Sequence, residues 1–257
     1  MDIGARIARA QLAGLANSRR QIVAGPLTGL LHDDDTWYLS GMVATEPGEP
    51  FDQDAVPEAL AIIRHAFAAE GRWLSAELVE EASPGLADVL EANGMTVASR
   101  PPLLVVESAG LLEPDLPEVV ALVVSSAEEQ AEANAVSVKA YESEDAAADF
   151  EPDPADGGWI LLRVDGVPAA SASWGAVSDG VTEIAGVGTI HSHRRRGLGA
   201  IATAYATRQA FELAGATLAW LTPGDDGSDR IYRRLGFTPR ATAVHLGDPG
   251  GHLADLR

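Results

Sequence analysis

The stretch HRRRGLGAIATAYATRQAFELAG, residues 193–215, decides how the rest of the chain is read. Arg194, Arg195 and Arg196 stand side by side in a protein of formal net charge −20. Gly197, Leu198 and Gly199 follow at once, and a helical pattern then runs over residues 198–213 and stops at Gly215. Upstream, residues 181–190 have the character of a strand. The R-x-x-G-x-G run therefore joins a strand to a helix N-terminus. A helix start carries four unsatisfied N–H groups and the positive end of the dipole. Phosphate groups settle at such ends. Glycines let the backbone approach the ligand, and arginines add forked donors. An anion, most naturally a diphosphate, accounts for the stretch, although glycines before helices also serve ordinary turns. Neither G-x-G-x-x-G nor G-x-x-x-x-G-K-[ST] occurs, which argues against a Rossmann cofactor site and an NTPase.

The surrounding composition narrows the function classes. The chain has 257 residues and is 46% hydrophobic with 5% aromatic residues, the make-up of a globular protein. It contains no cysteine, which removes disulfides, thiolate metal sites and cysteine nucleophiles together. No apolar run approaches the roughly 20 residues that span a bilayer. The first twenty residues lack the apolar core of a signal peptide, and a cytoplasmic location is expected. Eighteen basic residues against 38 acidic ones repel nucleic acid and anionic membranes, so neither is an expected partner. The same imbalance also serves plain solubility. Its distribution is uneven. Residues 115–156 hold 12 acids and one base, Lys139, whereas residues 189–240 hold eight arginines and four acids. A two-substrate enzyme with an anionic donor and a cationic acceptor would show this contrast.

Two halves follow a similar plan. The first has helical spacing over residues 3–16, strand-like runs at 21–23 and 36–43, and a helix over about 56–69 with Leu60, Ile63 and Phe67 on one face. A strand at 73–79, a helix at 83–94 and strands near 95–99 and 103–107 complete it. Residues 108–117, with a glycine and two prolines, resemble a linker. The second half runs through a helix at 126–141, strands at 159–164, 169–177 and 181–190, the helix at 198–213, a strand at 217–221, a helix at 228–235 and a strand at 242–246. Both halves contain a helix followed by glycine, a large apolar residue and a strand, as in VLEANGMTVAS and IYRRLGFTPRATAVHL.

The stretch TEIAGVGTIHSHRRRGLGAIAT, followed about thirty residues later by DDGSDRIYRRLGF, resembles the GCN5-related N-acetyltransferase (GNAT) superfamily. The two pieces together cover residues 181–237. The resemblance implies a mixed, mostly antiparallel α/β (α+β) sheet flanked by helices, here as two tandem copies. Residues 1–107 would form a degenerate, non-catalytic copy, residues 108–117 a linker, and residues 118–257 the catalytic domain. It also implies acetyl-CoA as co-substrate and a small-molecule amine acceptor, with no metal. The coenzyme A diphosphate would be held by Arg194, Arg195, Arg196, Gly197, Leu198, Gly199 and Ala200. Val187 and Thr189 would meet the thioester carbonyl and the pantetheine. Tyr232 occupies the position of the family's general acid, and Glu183 that of an acid which deprotonates the amine. Asp225 stands where the family often has an asparagine touching pantetheine, and a carboxylate cannot donate as an amide does. His191 and His193 are too few and too close for a metal site.

In the first half the loop before the helix reads EPGEPFDQD, and Leu90 stands four residues before Gly94, where the second half has Tyr232 before Gly236. A copy so changed would be structural or would wall the acceptor pocket. The acidic run 142–156 suggests a cationic acceptor, although a solvated loop would have the same composition. Oligomeric state is left open, a homodimer included. A coenzyme-A-binding module without turnover would keep the phosphate cradle, but Tyr232 and Glu183 together favour an enzyme.

Overall fold

A computed structural model of the chain describes residues 2–33, 39–114, 119–142 and 153–251. The described residues divide into two compact units, one of residues 1–103 with 239–257, the other of residues 104–238.

The first unit begins with α1 (Ile3–Ala16), capped by the Asp2 carboxylate, which accepts from the Ala5 amide. Strands β1 (Arg20–Ala24), β2 (Leu27–Leu31) and β3 (Gly41–Ala44) form an antiparallel meander. After α2 (Val56–Ala69), β4 (Ser75–Val79) returns parallel to β3. Leu60, Ile63 and Phe67 of α2 are all within 1% of complete burial, so the sequence periodicity placed its apolar face correctly. Helix α3 (Leu86–Ala92) and strand β5 (Thr96–Ser99) follow. The unit's core joins Leu27, Met42, Ile63, Leu86 and Leu90 to Val244 and Leu246 of a strand from the C-terminal end of the chain.

That strand, β12 (Thr238–Gly247), changes the expected division. The sequence reading assigned residues 242–246 to the second domain. Here Ala243 to Gly247 pair with Val79 to Ser75 of β4, and the same strand pairs with β5. Arg64 adds a local tie: its Nε and Nη2 donate to the Asp248 carboxylate, at 2.6 Å for the shortest contact, and its Nη1 donates to the Asn93 carbonyl. Residues 36–38 of the expected strand at 36–43 and residues 115–117 of the expected linker lie outside the described residues. The rest of that linker includes a short 3-10 turn, Ser108–Gly110.

The second unit contains β6 (Pro102–Glu107), β7 (Val119–Val123), α4 (Ala127–Tyr141), β8 (Gly157–Val164), β9 (Val167–Gly175), β10 (Val181–Thr189), α5 (Leu198–Glu212), β11 (Leu218–Leu221) and α6 (Asp226–Arg234). Its strands lie in the order β7-β8-β9-β10-β11-β6, antiparallel throughout except for the β10–β11 pair. This is the mixed, mostly antiparallel sheet with flanking helices that the resemblance implied. Helix α5 packs on it through Ala202, Ala206 and Ala210, all completely buried, and small side chains let the helix lie close to the strands. The two buried threonines on that face donate to carbonyls one turn back, Thr203 to Gly199 and Thr207 to Thr203, so burial leaves neither hydroxyl unpaired. Each unit runs through a helix, a three-stranded antiparallel meander, a helix, a parallel strand and a further helix in the same order.

Candidate active site

The centre of the second unit is the point where two strands part. Strands β10 and β11 pair through Val181, Thr182 and Glu183 only. Beyond Glu183, β10 is held on its other side by β9, and that ladder shifts register between Ala185 and Gly188. Gly186 lies inside the irregularity at φ 59°. A bulge at this place bends β10 and increases its twist. Glu183 stands, half-buried, at the last paired position, with Val187 and Thr189 on the diverging segment.

The loop after β10 leads into α5. Its N-cap is Gly197 at φ 79°, a left-handed conformation that a residue with a Cβ adopts at a cost of about 1–2 kcal/mol. Arg195 is held at φ 63° without that freedom. Helices α1, α4 and α6 are capped by their own Asp2, Ser126 and Asp225 side chains; α2, α3 and α5 have no side-chain cap, and of these three α5 alone has no acid in its first turn. Among the described residues, none accepts from the amides of Arg195, Arg196, Gly197, Leu198, Gly199 or Ala200. The side chains of Arg195 and Arg196 are exposed and form no ion pair with another described residue. Leu198 turns its side chain into the core while its N–H remains at the helix mouth. Six open amides, two arginines and an unopposed helix dipole fit an anion such as a diphosphate.

Arg194 stands apart from its neighbours. Its Nη2 donates to the Ala140 carbonyl at 2.6 Å and its Nε to the Thr189 carbonyl at 3.2 Å. The guanidinium expected among the anion-binding groups thus ties the end of α4 to the end of β10. The pair of carbonyls lies 54 and 5 residues away in sequence, so a run of three arginines gives no hint of it.

Asp225 is also committed to protein. Its carboxylate accepts from the Ser228 amide at 2.7 Å, and the Ser228 hydroxyl is 3.0 Å from the Asp225 amide, a reciprocal cap on α6. The bonds from Ser228, its amide first, hold the Asp225 carboxyl below the ordinary value of 3.8. Replacing Asp225 with Ala should therefore lower stability by about 1 kcal/mol. Because the folded pKa is depressed, this stabilisation is present above the ordinary Asp range and is lost as pH falls below it. Thermal unfolding at pH 7 and at pH 3 should show the deficit at the first and a smaller one at the second.

Tyr232 projects from α6, 8% exposed, beside Phe237 at 6.2 Å between ring centroids. Burial, reinforced by Tyr141 and the Asp225 charge, pushes its hydroxyl up to about 12. Tyr141, the last residue of α4, donates from its hydroxyl to the Val187 carbonyl at 3.0 Å. The residue is 55% exposed, its hydroxyl is held by that carbonyl, and burial raises its pKa as well. Nothing in the sequence singled out Tyr141, because its partner lies 46 residues away. His191 and His193 sit in the loop, the latter 2.9 Å from the Ser192 hydroxyl, and no group of three or more metal-ligating side chains exists among the described residues.

Residues 124–237 match the acetyltransferase (GNAT) family. Over its full length the chain is 70% identical to a GCN5-related N-acetyltransferase from Kribbella flavida, all of which it covers, with a TM-score of 0.93. A GCN5-related N-acetyltransferase from Sphaerobacter thermophilus shares 14% identity, 95% of this chain and 90% of its own, with a TM-score of 0.61. A tandem GNAT protein from the clavulanic acid biosynthesis pathway shares 16% identity, 89% of this chain and 80% of its own, with a TM-score of 0.60. The last two likenesses concern the fold alone. No curated protein matches the chain.

Proposed function

The chain belongs to the GCN5-related N-acetyltransferase family and is an acyltransferase of that family; from that premise we propose that it moves an acetyl group from acetyl-CoA to the primary amine of a small, cationic molecule. The amine attacks the thioester directly, with both substrates bound at once. The observation that carries this reading is the row of open amides from Arg195 to Ala200 at the uncapped start of α5. The diphosphate of the donor fits there, and the diverging part of β10 then runs alongside the pantetheine.

Each chemical step has a candidate residue. The Val187 N–H is aimed at the thioester oxygen, where one donor to developing negative charge contributes about 3 kcal/mol. Glu183, at the point of divergence, takes a proton from the attacking ammonium, directly or through water. Tyr232 gives its phenolic proton to the departing sulfur. A phenol pushed up to about 12 is fully protonated at neutral pH and available as a donor. Holding the two reactants together supplies much of the rate. No covalent enzyme intermediate is needed, which suits a chain without cysteine.

We read the first unit as a degenerate copy of the second, on their shared order of elements. Its loop before α2 carries Glu46, Glu49 and Asp52, and Asp52 caps the following turn through the Asp54 amide. The approach to α2 and its first turn thus carry carboxylates, Asp54 and Glu58 among them, where a diphosphate would need to bind. Leu90, completely buried, leaves no general acid at the matching position. A cavity of about 210 Å³ lined by Phe51, Pro26 and those acids lies within that unit. The acidic run proposed to attract a cationic acceptor falls mainly on residues 143–152, outside the described residues. No helix among the described residues is long and apolar enough to cross a membrane, and the absence of cysteine supports our placing the protein in the cytoplasm.

The experiment is thiol release from acetyl-CoA over a panel of amines matched in size, each paired with a neutral analogue, at low ionic strength. Turnover with cationic amines and little with neutral ones is expected. Equal rates for both would end the cationic-acceptor reading, and no thiol release with any amine would end the acetyl-transfer reading.

A further inference from the structure

The end of α4 meets β10 at one place. Gly188 has no side chain there, and a Cβ added to it would lie 2.8 Å from the Ala140 Cβ and 3.5 Å from Cε2 of the Tyr141 ring. The close approach lets the Tyr141 hydroxyl reach the Val187 carbonyl. Arg194 grips the same helix end through Ala140, and Glu142, at φ 53°, ends the helix in a left-handed turn. Three contacts therefore fix where Tyr141 stands. Packing alone does not call for its hydroxyl. The residue is more than half exposed, and a phenylalanine ring would cover Gly188 equally well.

The hydroxyl acts where the ladder is weakest. Residues 186 and 187 fall in the register shift against β9, and β11 has already separated from β10. A peptide in a bulge lacks its ladder partner. In an extended residue the N–H and C=O point to the same edge of the strand, so holding one aims the other. Tyr141 thus replaces a missing ladder bond at the residue whose N–H the reaction uses.

We infer that Tyr141 is a positioning residue for acyl transfer: by holding the Val187 carbonyl, its hydroxyl sets the direction in which the Val187 N–H meets the thioester oxygen. The inference rests on the acetyl-transfer reading. It adds a requirement of its own, that recognition of the acyl carbonyl is separable from recognition of the rest of coenzyme A. Tyr141→Phe removes the hydroxyl and keeps the ring on Gly188. In that variant kcat should fall by about tenfold, a fraction of what an oxyanion donor is worth, with KM for acetyl-CoA nearly unchanged.

Calorimetry tests the same point without turnover. Two probes are compared: coenzyme A, and the ketone analogue of acetyl-CoA in which a methylene replaces the thioester sulfur. Wild-type protein should bind the ketone more tightly than coenzyme A. Tyr141→Phe should lose most of that preference, with coenzyme A affinity and melting temperature held. An unchanged preference in the variant, equal binding of both probes by wild type, or a joint loss of coenzyme A affinity and melting temperature would each overturn the positioning role. Wild-type protein that binds neither probe would overturn the acetyl-transfer reading itself, a result distinct from the other three.

Discussion

Tyr232→Phe should lower kcat for acetyl transfer by at least about 100-fold while coenzyme A affinity stays within twofold of wild type. A positioned general acid typically contributes about 10²–10⁴ in rate. The variant keeps the ring against Phe237 and loses only the oxygen. No described group is hydrogen-bonded to this hydroxyl, and it is not among the fully buried polar atoms that lack a partner, so its removal leaves no buried group unpaired. Stability should therefore hold, and the loss should appear in the chemical step. The measurement is steady-state thiol release together with calorimetry of coenzyme A. Turnover within threefold of wild type would remove Tyr232 from the mechanism and leave it as a core aromatic.

The pH dependence follows from the same burial. The folded-state hydroxyl lies at about 12, against an ordinary value of 10. Folding therefore favours the protonated phenol. This contribution is fully present below pH 10 and is lost as pH rises from 10 to about 12. Tyr232→Phe, which cannot ionise, should unfold at higher pH than wild type in alkaline titration. In the wild-type enzyme the alkaline limb of the rate profile should not come from Tyr232 below about pH 11, since a group with that pKa remains mostly protonated there. A limb near pH 10 that vanishes in Tyr232→Phe would contradict the buried position.

The sequence made the local features legible and hid those that depend on distant partners. The helix expected over 198–213 is found as Leu198–Glu212, and the face of α2 was set by Leu60, Ile63 and Phe67. These signals reside in neighbouring residues, three or four apart. Strand β2 was missed because Gly29 interrupts a short apolar run. Its missing side chain has a spatial cause: a Cβ there would lie 3.0 Å from Ile63 and 3.2 Å from Phe67, so α2 can cross the sheet only over a glycine. The last strand was recognised as a strand, but its partner Val79 is 164 residues away from Ala243, and nothing local names the sheet a strand joins. In the site, the helix mouth could be read from R-x-x-G-x-G. The division of labour among its arginines could not, because the carbonyl that occupies Arg194 belongs to α4. The same holds for Tyr141, whose importance rests on a bulge that pairing registers alone disclose.

Gly199→Asp should weaken coenzyme A binding by at least about 100-fold while raising the melting temperature. These two effects normally oppose each other in a damaged site, so their combination is diagnostic. Gly199 is the second residue of α5, and a Cβ built there meets only the Thr189 hydroxyl, at 3.9 Å, an ordinary contact. The protein therefore accepts a side chain at this position. Replacing a helical glycine gains up to about 1 kcal/mol, and a carboxylate in the first turn gains about 0.5 kcal/mol from the dipole. The new carboxylate would also stand among the open amides and beside Arg195 and Arg196, where the diphosphate belongs. Losing two charge-assisted hydrogen bonds costs about 3 kcal/mol or more, which corresponds to about 100-fold in affinity. Gly199→Ala separates obstruction from charge: it gains the helix term, adds one methyl group, and should weaken binding by much less. Melting curves and coenzyme A calorimetry on the two variants decide the matter. If Gly199→Asp binds coenzyme A as wild type does, the mouth of α5 does not hold the diphosphate. The acyl donor would then need another site, and the roles given to Val187 and Tyr232 would lose the anchor that places the thioester beside them.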